Sequence, residues 1–113
     1  MLLYASITLF VFAVVAGVTI LVTWLNKKNA SRAVVYTHGL LAVSGLLVLV
    51  YYAFTHPDQY PRLSVILYGV TALGGISLFA TARPDKAKPI PVAIIHGLLA
   101  VVSSATLLFY LFS

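Results

Sequence analysis

The sequence predicts an all-α integral membrane protein, a four-helix transmembrane bundle made of two tandem helical hairpins. Three observations predict this fold class. First, the 113 residues are 62% hydrophobic and only 8% are charged, whereas soluble domains carry about 25% charged residues. Second, four apolar stretches are each long enough to cross a bilayer, which takes roughly 20 residues. Third, the second half of the chain repeats the first.

The four predicted spans follow one another along the whole chain. They cover about residues 2–25, 33–54, 63–82 and 91–112, and none contains a charged residue. All five Pro residues fall in loops or at helix starts, where Pro is tolerated. Short connecting loops predict that consecutive helices are antiparallel neighbours. The first span has neither a basic start nor a small-residue cleavage motif, so it is predicted to be a helix of the mature protein.

The cations of the loops predict the orientation. Six of the seven Lys and Arg residues lie in the first and third loops, residues 26–32 and 83–90. The positive-inside rule places these two loops in the cytoplasm. Both termini and the second loop are then expected outside, in a bacterial inner membrane. The net charge of +5 is therefore a topology signal, and we do not expect nucleic-acid binding.

Composition and motifs exclude several kinds of site. The chain contains no Cys, which excludes disulfides, thiolate metal sites and thiol catalysis. No phosphate-binding loop, nucleophile elbow or pair of carboxylates is present, so a hydrolase or transferase is not expected. Hydroxyl side chains inside the spans are predicted to bond back to their own helices. His56, in the second loop, is predicted to be an ordinary loop residue.

The two halves of the chain are copies of one hairpin. The six residues from His38 to Val43, HGLLAV, return as His96 to Val101, 58 positions later. At this offset residues 2–55 align with residues 60–113 without a gap, and 15 of the 54 pairs are identical. Two helices separate equivalent residues, so both copies insert in the same direction. We expect a parallel repeat about an axis along the membrane normal.

The repeat places His38 and His96 at the same depth on the cytoplasmic side. Each lies six residues into its predicted helix, roughly 8–9 Å along it. If helices two and four face the axis, the two imidazoles point at each other across it. Small residues follow each histidine or share its helix face: Gly39, Ala42 and Gly45 in the first copy, and Gly97, Ala100 and Ser103 in the second.

This constellation favours a b-type haem. Haem iron takes axial imidazoles, one on each face of the macrocycle, and the small residues leave space for a flat ring. The anionic propionates need cations, and Arg32 and Lys88 lie on the same side of the membrane as the histidines. We therefore predict that His38 and His96 ligate the iron, and that the six small residues, Arg32 and Lys88 contact the cofactor.

The chain resembles four-helix membrane b-type cytochromes with bis-histidine haem. The resemblance covers the whole chain and rests on a four-helix bundle with a His-Gly motif in each of helices two and four. It implies electron transfer with a quinone or a redox partner subunit, or haem handling. Many such cytochromes hold two haems on four histidines, whereas this chain has two intramembrane histidines and holds at most one. A homodimer in the lipid bilayer is also an expected assembly.

Two other functions stay open. The histidines can hydrogen-bond neighbouring helices as packing elements, in a non-enzymatic membrane subunit or assembly factor. The chain can also be a small transporter or channel built on the repeat axis. The absence of Glu argues against a proton-coupled multidrug exporter. Zinc prefers three or four protein ligands, and two histidines without a nearby carboxylate fall short of that number.

Overall fold

A computed structural model describes all 113 residues. Its four helices are α1, Leu2–Leu25; α2, Arg32–Thr55; α3, Arg62–Thr81; and α4, Ile90–Phe112. Each helix is long and apolar enough to cross a membrane, so the predicted all-helical class and the four candidate spans are confirmed. The ends of α1 match the prediction, and those of the other helices differ from it by at most one residue.

Local sequence explains where the later helices begin. The Ser31 hydroxyl accepts a hydrogen bond from the Val34 N–H at 3.2 Å, which satisfies one of the donors left free at the start of α2. Pro61 and Pro89 directly precede α3 and α4, and their fixed φ angle suits a helix start. The chain leaves α1 through Lys27, whose φ of 60° is the left-handed conformation of a tight turn.

The four helices stand at the corners of a square. Helix α1 packs against α2 and α4, and α3 packs against the same two helices. No Cα atom of α1 lies within 8 Å of one in α3, and the same holds for α2 and α4. Helices α1 and α3 are therefore diagonally opposite, as are α2 and α4. Loops 26–31 and 82–89 share one end of the bundle, called here the basic end. The termini and loop 56–61 share the other, called the terminal end.

The buried core consists mainly of residues that are 58 positions apart. Fourteen residues are buried, and twelve of them form six such pairs. The pairs are Leu3/Pro61, Ser6/Ser64, Phe10/Tyr68, Ala13/Thr71, Gly45/Ser103 and Leu49/Leu107. Both hairpins therefore bury the same positions of the repeated sequence.

The core closes the half of the bundle nearer the terminal end. The rings of Phe10 and Tyr68 stack across the α1–α3 diagonal, with centres 3.7 Å apart and planes 8° apart. Leu49 and Leu107 belong to the same buried cluster and have no exposed surface. In the half nearer the basic end, Leu78 is the only buried side chain. The terminal half thus contains nearly all of the buried side chains.

Most hydroxyl groups inside the helices bond back to their own helix, as predicted. Eight of them donate to the carbonyl four residues earlier: Thr8, Thr19, Thr23, Thr55, Thr71, Thr81, Ser103 and Ser104. Ser6 differs from the prediction, because its hydroxyl donates to the Gly45 carbonyl of α2 at 3.0 Å. Hydroxyls also meet across the α3–α4 interface, where Tyr68 lies 2.6 Å from the Ser104 hydroxyl. At the equivalent positions, the first hairpin has Phe10 and Leu46. The second hairpin is therefore the more polar of the two.

Candidate functional site

The structure brings the two predicted metal ligands together. The ring centres of His38 and His96 lie 6.2 Å apart across the α2–α4 diagonal, and the ring planes are nearly perpendicular at 86°. Each histidine is the seventh residue of its helix and is half-buried. Equal positions on two diagonal helices thus face the same space on the bundle axis.

A main-chain carbonyl of the adjacent helix holds each imidazole. His38 Nδ1 donates to the carbonyl oxygen of Ala13 at 2.7 Å, and His96 Nδ1 donates to that of Thr71 at 2.9 Å. A carbonyl oxygen only accepts, so Nδ1 carries the proton in each neutral ring. Ala13 and Thr71 are themselves 58 positions apart, so both hairpins orient their histidine in the same way.

The second nitrogen of each ring has no protein partner. With the proton on Nδ1, the Nε2 atom of a neutral imidazole carries the lone pair that binds a metal. Nδ1 makes the only protein hydrogen bond of His38 and of His96, and neither Nε2 atom is fully enclosed. Metal-ligating histidines commonly show this pattern, in which a carbonyl fixes one nitrogen and leaves the other for the metal.

Two glycines give the imidazoles room. A Cβ atom at Gly17 would lie 3.0 Å from Cε1 of His38, and one at Gly75 would lie 3.1 Å from Cε1 of His96. Both distances are shorter than the roughly 3.5–4.0 Å of an ordinary carbon–carbon contact. Each glycine follows the histidine-binding carbonyl by four residues, so one face of α1 and one face of α3 supply both the hydrogen bond and the space.

Four of the predicted small residues lie in the half of the bundle nearer the basic end. A Cβ atom at Gly39 or Gly97 would have no neighbouring atom within 4 Å, so both glycines face open space. Ala42 and Ala100, one turn further along their helices, are half-buried. No protein atom therefore occupies the places that side chains at Gly39 and Gly97 would take.

The other two predicted small residues lie against protein. A Cβ atom at Gly45 would lie 3.1 Å from the ring of Phe10, so this ring fills the space. Ser103 is buried and donates to the Leu99 carbonyl at 2.6 Å. The Phe10–Tyr68 stack therefore occupies the level of Gly45 and Ser103 and bounds the histidine site toward the terminal end.

The two predicted cations lie at the basic end and do not contact the histidines. Arg32 is the exposed first residue of α2. The Lys88 ammonium donates to the Arg83 carbonyl at 2.8 Å and lies 5.8 Å from the ring centre of Trp24. This cation–π contact ties loop 82–89 to the end of α1.

The protein brings two imidazole rings together at this place. No three His, Cys, Asp or Glu side chains come together in the structure, and zinc prefers three or four protein ligands. Haem iron needs only two axial ligands from the protein.

Comparisons with protein-family models, curated proteins and solved structures find no match to this chain.

Proposed function

We propose that this protein binds haem b in the membrane, with His38 and His96 as axial ligands, and serves electron transfer or haem handling. One observation carries the proposal: two carbonyls hold the protons on Nδ1 and leave two Nε2 lone pairs without a protein partner. When bound, haem supplies one-electron chemistry at its iron. A quinone or a redox partner subunit would be the electron partner, and a homodimer is a compatible assembly.

The residues around the histidines orient the ligands and shape the pocket. The carbonyls of Ala13 and Thr71 fix the ring orientation and the tautomer, as outer-shell partners do in metal sites. The Phe10–Tyr68 stack fills the bundle on the terminal side of the histidines. A large flat ligand at the histidines would therefore extend toward the basic end. The positive charge of that end, which includes Arg32, suits the anionic propionates.

The same proposal includes the symmetry and the orientation of the bundle. The six buried pairs and the two matching histidine–carbonyl bonds support a pseudo-two-fold axis along the bundle. The apolar lengths of the helices support membrane insertion. The cations of loops 26–31 and 82–89 support a cytoplasmic basic end and outward termini, in a bacterial inner membrane.

Absorption spectra test the haem proposal. The protein is expressed with added haem, purified, and measured oxidised and after reduction with dithionite. We expect sharp Soret and α bands in the natural protein, and their loss or a five-coordinate spectrum in His38→Ala and in His96→Ala. His56→Ala is the matched control, because His56 stacks on Tyr52 outside the site and its removal leaves the bands unchanged. A colourless natural protein that takes up no haem overturns the proposal.

A second candidate function is a structural role for both histidines. It is favoured by the hydrogen bonds to Ala13 and Thr71, which join neighbouring helices without any ligand. In that case the protein stays colourless, and each His→Ala change lowers the free energy of unfolding by about 0.6–1.7 kcal/mol, as interhelical hydrogen bonds in membranes do. The closed terminal half does not favour a transport path along the axis.

A further inference from the structure

Two interfaces join the first hairpin to the second, one between α1 and α4 and the other between α2 and α3. At the repeat offset α1 corresponds to α3 and α2 to α4, so the two interfaces correspond to each other. They differ in the structure, because α2 and α3 share the least contact of the four neighbouring helix pairs. All side-chain hydrogen bonds between helices lie within a hairpin, so none holds either interface together.

At the basic end the α1–α4 interface has a clasp that the α2–α3 interface lacks. The clasp is the contact between the Lys88 ammonium and the Trp24 ring, 5.8 Å apart, which joins the residues just before α4 to the end of α1. The positions that correspond to Lys88 and Trp24 at the α2–α3 interface are Ala30 and Ala82. Alanine makes no cation–π contact, so the basic end of α2 and α3 has no clasp.

Two aromatic side chains meet across the α2–α3 interface at the level of the histidines. The ring centres of Tyr36 and Phe79 lie 6.1 Å apart, and both residues are more than half exposed. Tyr36 precedes His38 by two residues, which is about 3 Å along α2. The corresponding residues at the α1–α4 interface are the smaller Ile94 and Leu21. Two largely exposed rings can separate with little loss of buried surface.

We propose that the α2–α3 interface is a lateral opening that admits haem from the bilayer to His38 and His96. Loop 56–61 ties α2 to α3 at the terminal end, and the Phe10–Tyr68 stack fills the axis on that side. The two helices therefore separate at the basic end, and the clasped α1–α4 interface is the hinge.

The chemistry of haem suits this route. Its macrocycle is flat and apolar, so a molecule dissolved in the bilayer reaches the α2–α3 interface without crossing water. Its propionates are anionic, and the opening lies at the end of the bundle that carries the cations of loops 26–31 and 82–89. The inference rests on the proposed haem binding and adds the path by which the site is filled.

Cross-linking tests the route, since the natural chain has no Cys. Tyr36→Cys with Phe79→Cys provides a lock for the α2–α3 interface. Leu21→Cys with Ile94→Cys is the matched control, because it locks the α1–α4 interface at the corresponding positions. A bismaleimide with a cleavable disulfide joins each pair, and the Soret band reports haem uptake by the haem-free protein in nanodiscs. We expect the first lock to abolish uptake, cleavage to restore it, and the second lock to leave the uptake rate of its uncross-linked variant unchanged.

A transplanted clasp tests the same route without a cross-link. Ala30→Lys with Ala82→Trp places the Lys88–Trp24 contact at the α2–α3 interface, with residues that the other interface already carries. We expect uptake to slow about two- to fivefold, which corresponds to one exposed cation–π contact. Ala82→Trp alone is the control, because it adds the ring without the cation.

The two locks decide between the outcomes. Uptake that continues with the α2–α3 lock in place, or that is lost equally with both locks, overturns the route. The uncross-linked variants and the natural protein report haem binding itself. If they take up haem while the α2–α3 lock has no effect, only the route is wrong. If the natural protein takes up none, the proposed function is overturned and the route with it.

Discussion

The ring centres of His38 and His96 lie 6.2 Å apart. The Cα atoms of the two helices that carry them, α2 and α4, stay more than 8 Å apart. On the other diagonal, Phe10 and Tyr68 stack at 3.7 Å. The bundle axis is therefore filled by side chains from all four helices, in an aromatic layer and an imidazole layer. The two histidines therefore lie on the axis of the whole bundle and not at an interface between two neighbouring helices.

The contact between glycine and imidazole makes a first prediction. Gly17→Ala and Gly75→Ala add a methyl group at about 3 Å from an imidazole, and overpacking of this kind costs about 1–3 kcal/mol. Gly39→Ala and Gly97→Ala are the controls, because they add the same methyl group where nothing lies within 4 Å. Unfolding in SDS measures the four variants. Equal stability of all four would contradict the packing described here.

The paired leucines of the core make a second prediction. Leu49→Ala and Leu107→Ala each leave a cavity in a fully buried site. Such changes cost about 2–5 kcal/mol in water-soluble cores. We expect the lower end of this range, because lipid solvates an unfolded leucine nearly as well as the core does. Leu40→Ala and Leu98→Ala, at positions that are 70% and 62% exposed, should change the free energy of unfolding little. Clearly unequal losses at Leu49 and Leu107 would count against equivalent cores.

The hydrogen bond between Tyr68 and Ser104 makes a third prediction. Ser104 donates to the Ala100 carbonyl, so the Tyr68 hydroxyl is the donor in their 2.6 Å contact. A double-mutant cycle of Tyr68→Phe and Ser104→Ala should give a coupling of about 0.6–1.7 kcal/mol. Tyr36→Phe removes an exposed hydroxyl and serves as the control. A coupling of zero would show that the contact does not stabilise the α3–α4 interface.

The distribution of cations makes a fourth prediction, which concerns orientation. The natural chain has no Cys, so single cysteines can be introduced without background. Lys28→Cys and Lys86→Cys should react only with membrane-permeant thiol reagents in intact cells. Asp58→Cys and Ser113→Cys should react with impermeant reagents as well. The reverse pattern would place the basic end outside.

The sequence predicts the helices well but their contacts poorly. Span bounds are accurate to one residue because charged residues and Pro delimit them sharply. The choice of buried positions is harder, because lipid-facing and core-facing residues are both apolar and no amphipathic face marks the core. Leu49 is fully buried, while Leu47 is 65% exposed, yet composition treats them alike. Only the repeat bears on which positions are buried. It indicates that two positions 58 residues apart share the same burial, but not which pairs are buried.

For the site, the repeat reveals the histidines but not what holds them. The carbonyls of Ala13 and Thr71 carry no sequence signal, because every residue has one. Gly17 and Gly75 do carry a signal, since they are identical at the repeat offset, but their contact with the imidazoles requires the relative rotation of two helices. At Gly45 the sequence suggests free space, because glycine has no side chain. In the structure the ring of Phe10, from helix α1, occupies this space.

The contacts across the bundle axis join residues at equivalent positions of the two copies. His38 meets His96, and Phe10 meets Tyr68. A shorter chain of residues 2–55 alone would meet the same partners in a second molecule of itself. With the pseudo-two-fold symmetry proposed above, the tandem chain corresponds to a covalently linked dimer of one hairpin. Because loop 56–61 joins the two hairpins, their association is intramolecular and does not depend on the protein concentration. The effective concentration of one hairpin near the other is of millimolar order. The loop also lets the two halves differ, as Tyr68 and Ser104 differ from the equivalent Phe10 and Leu46.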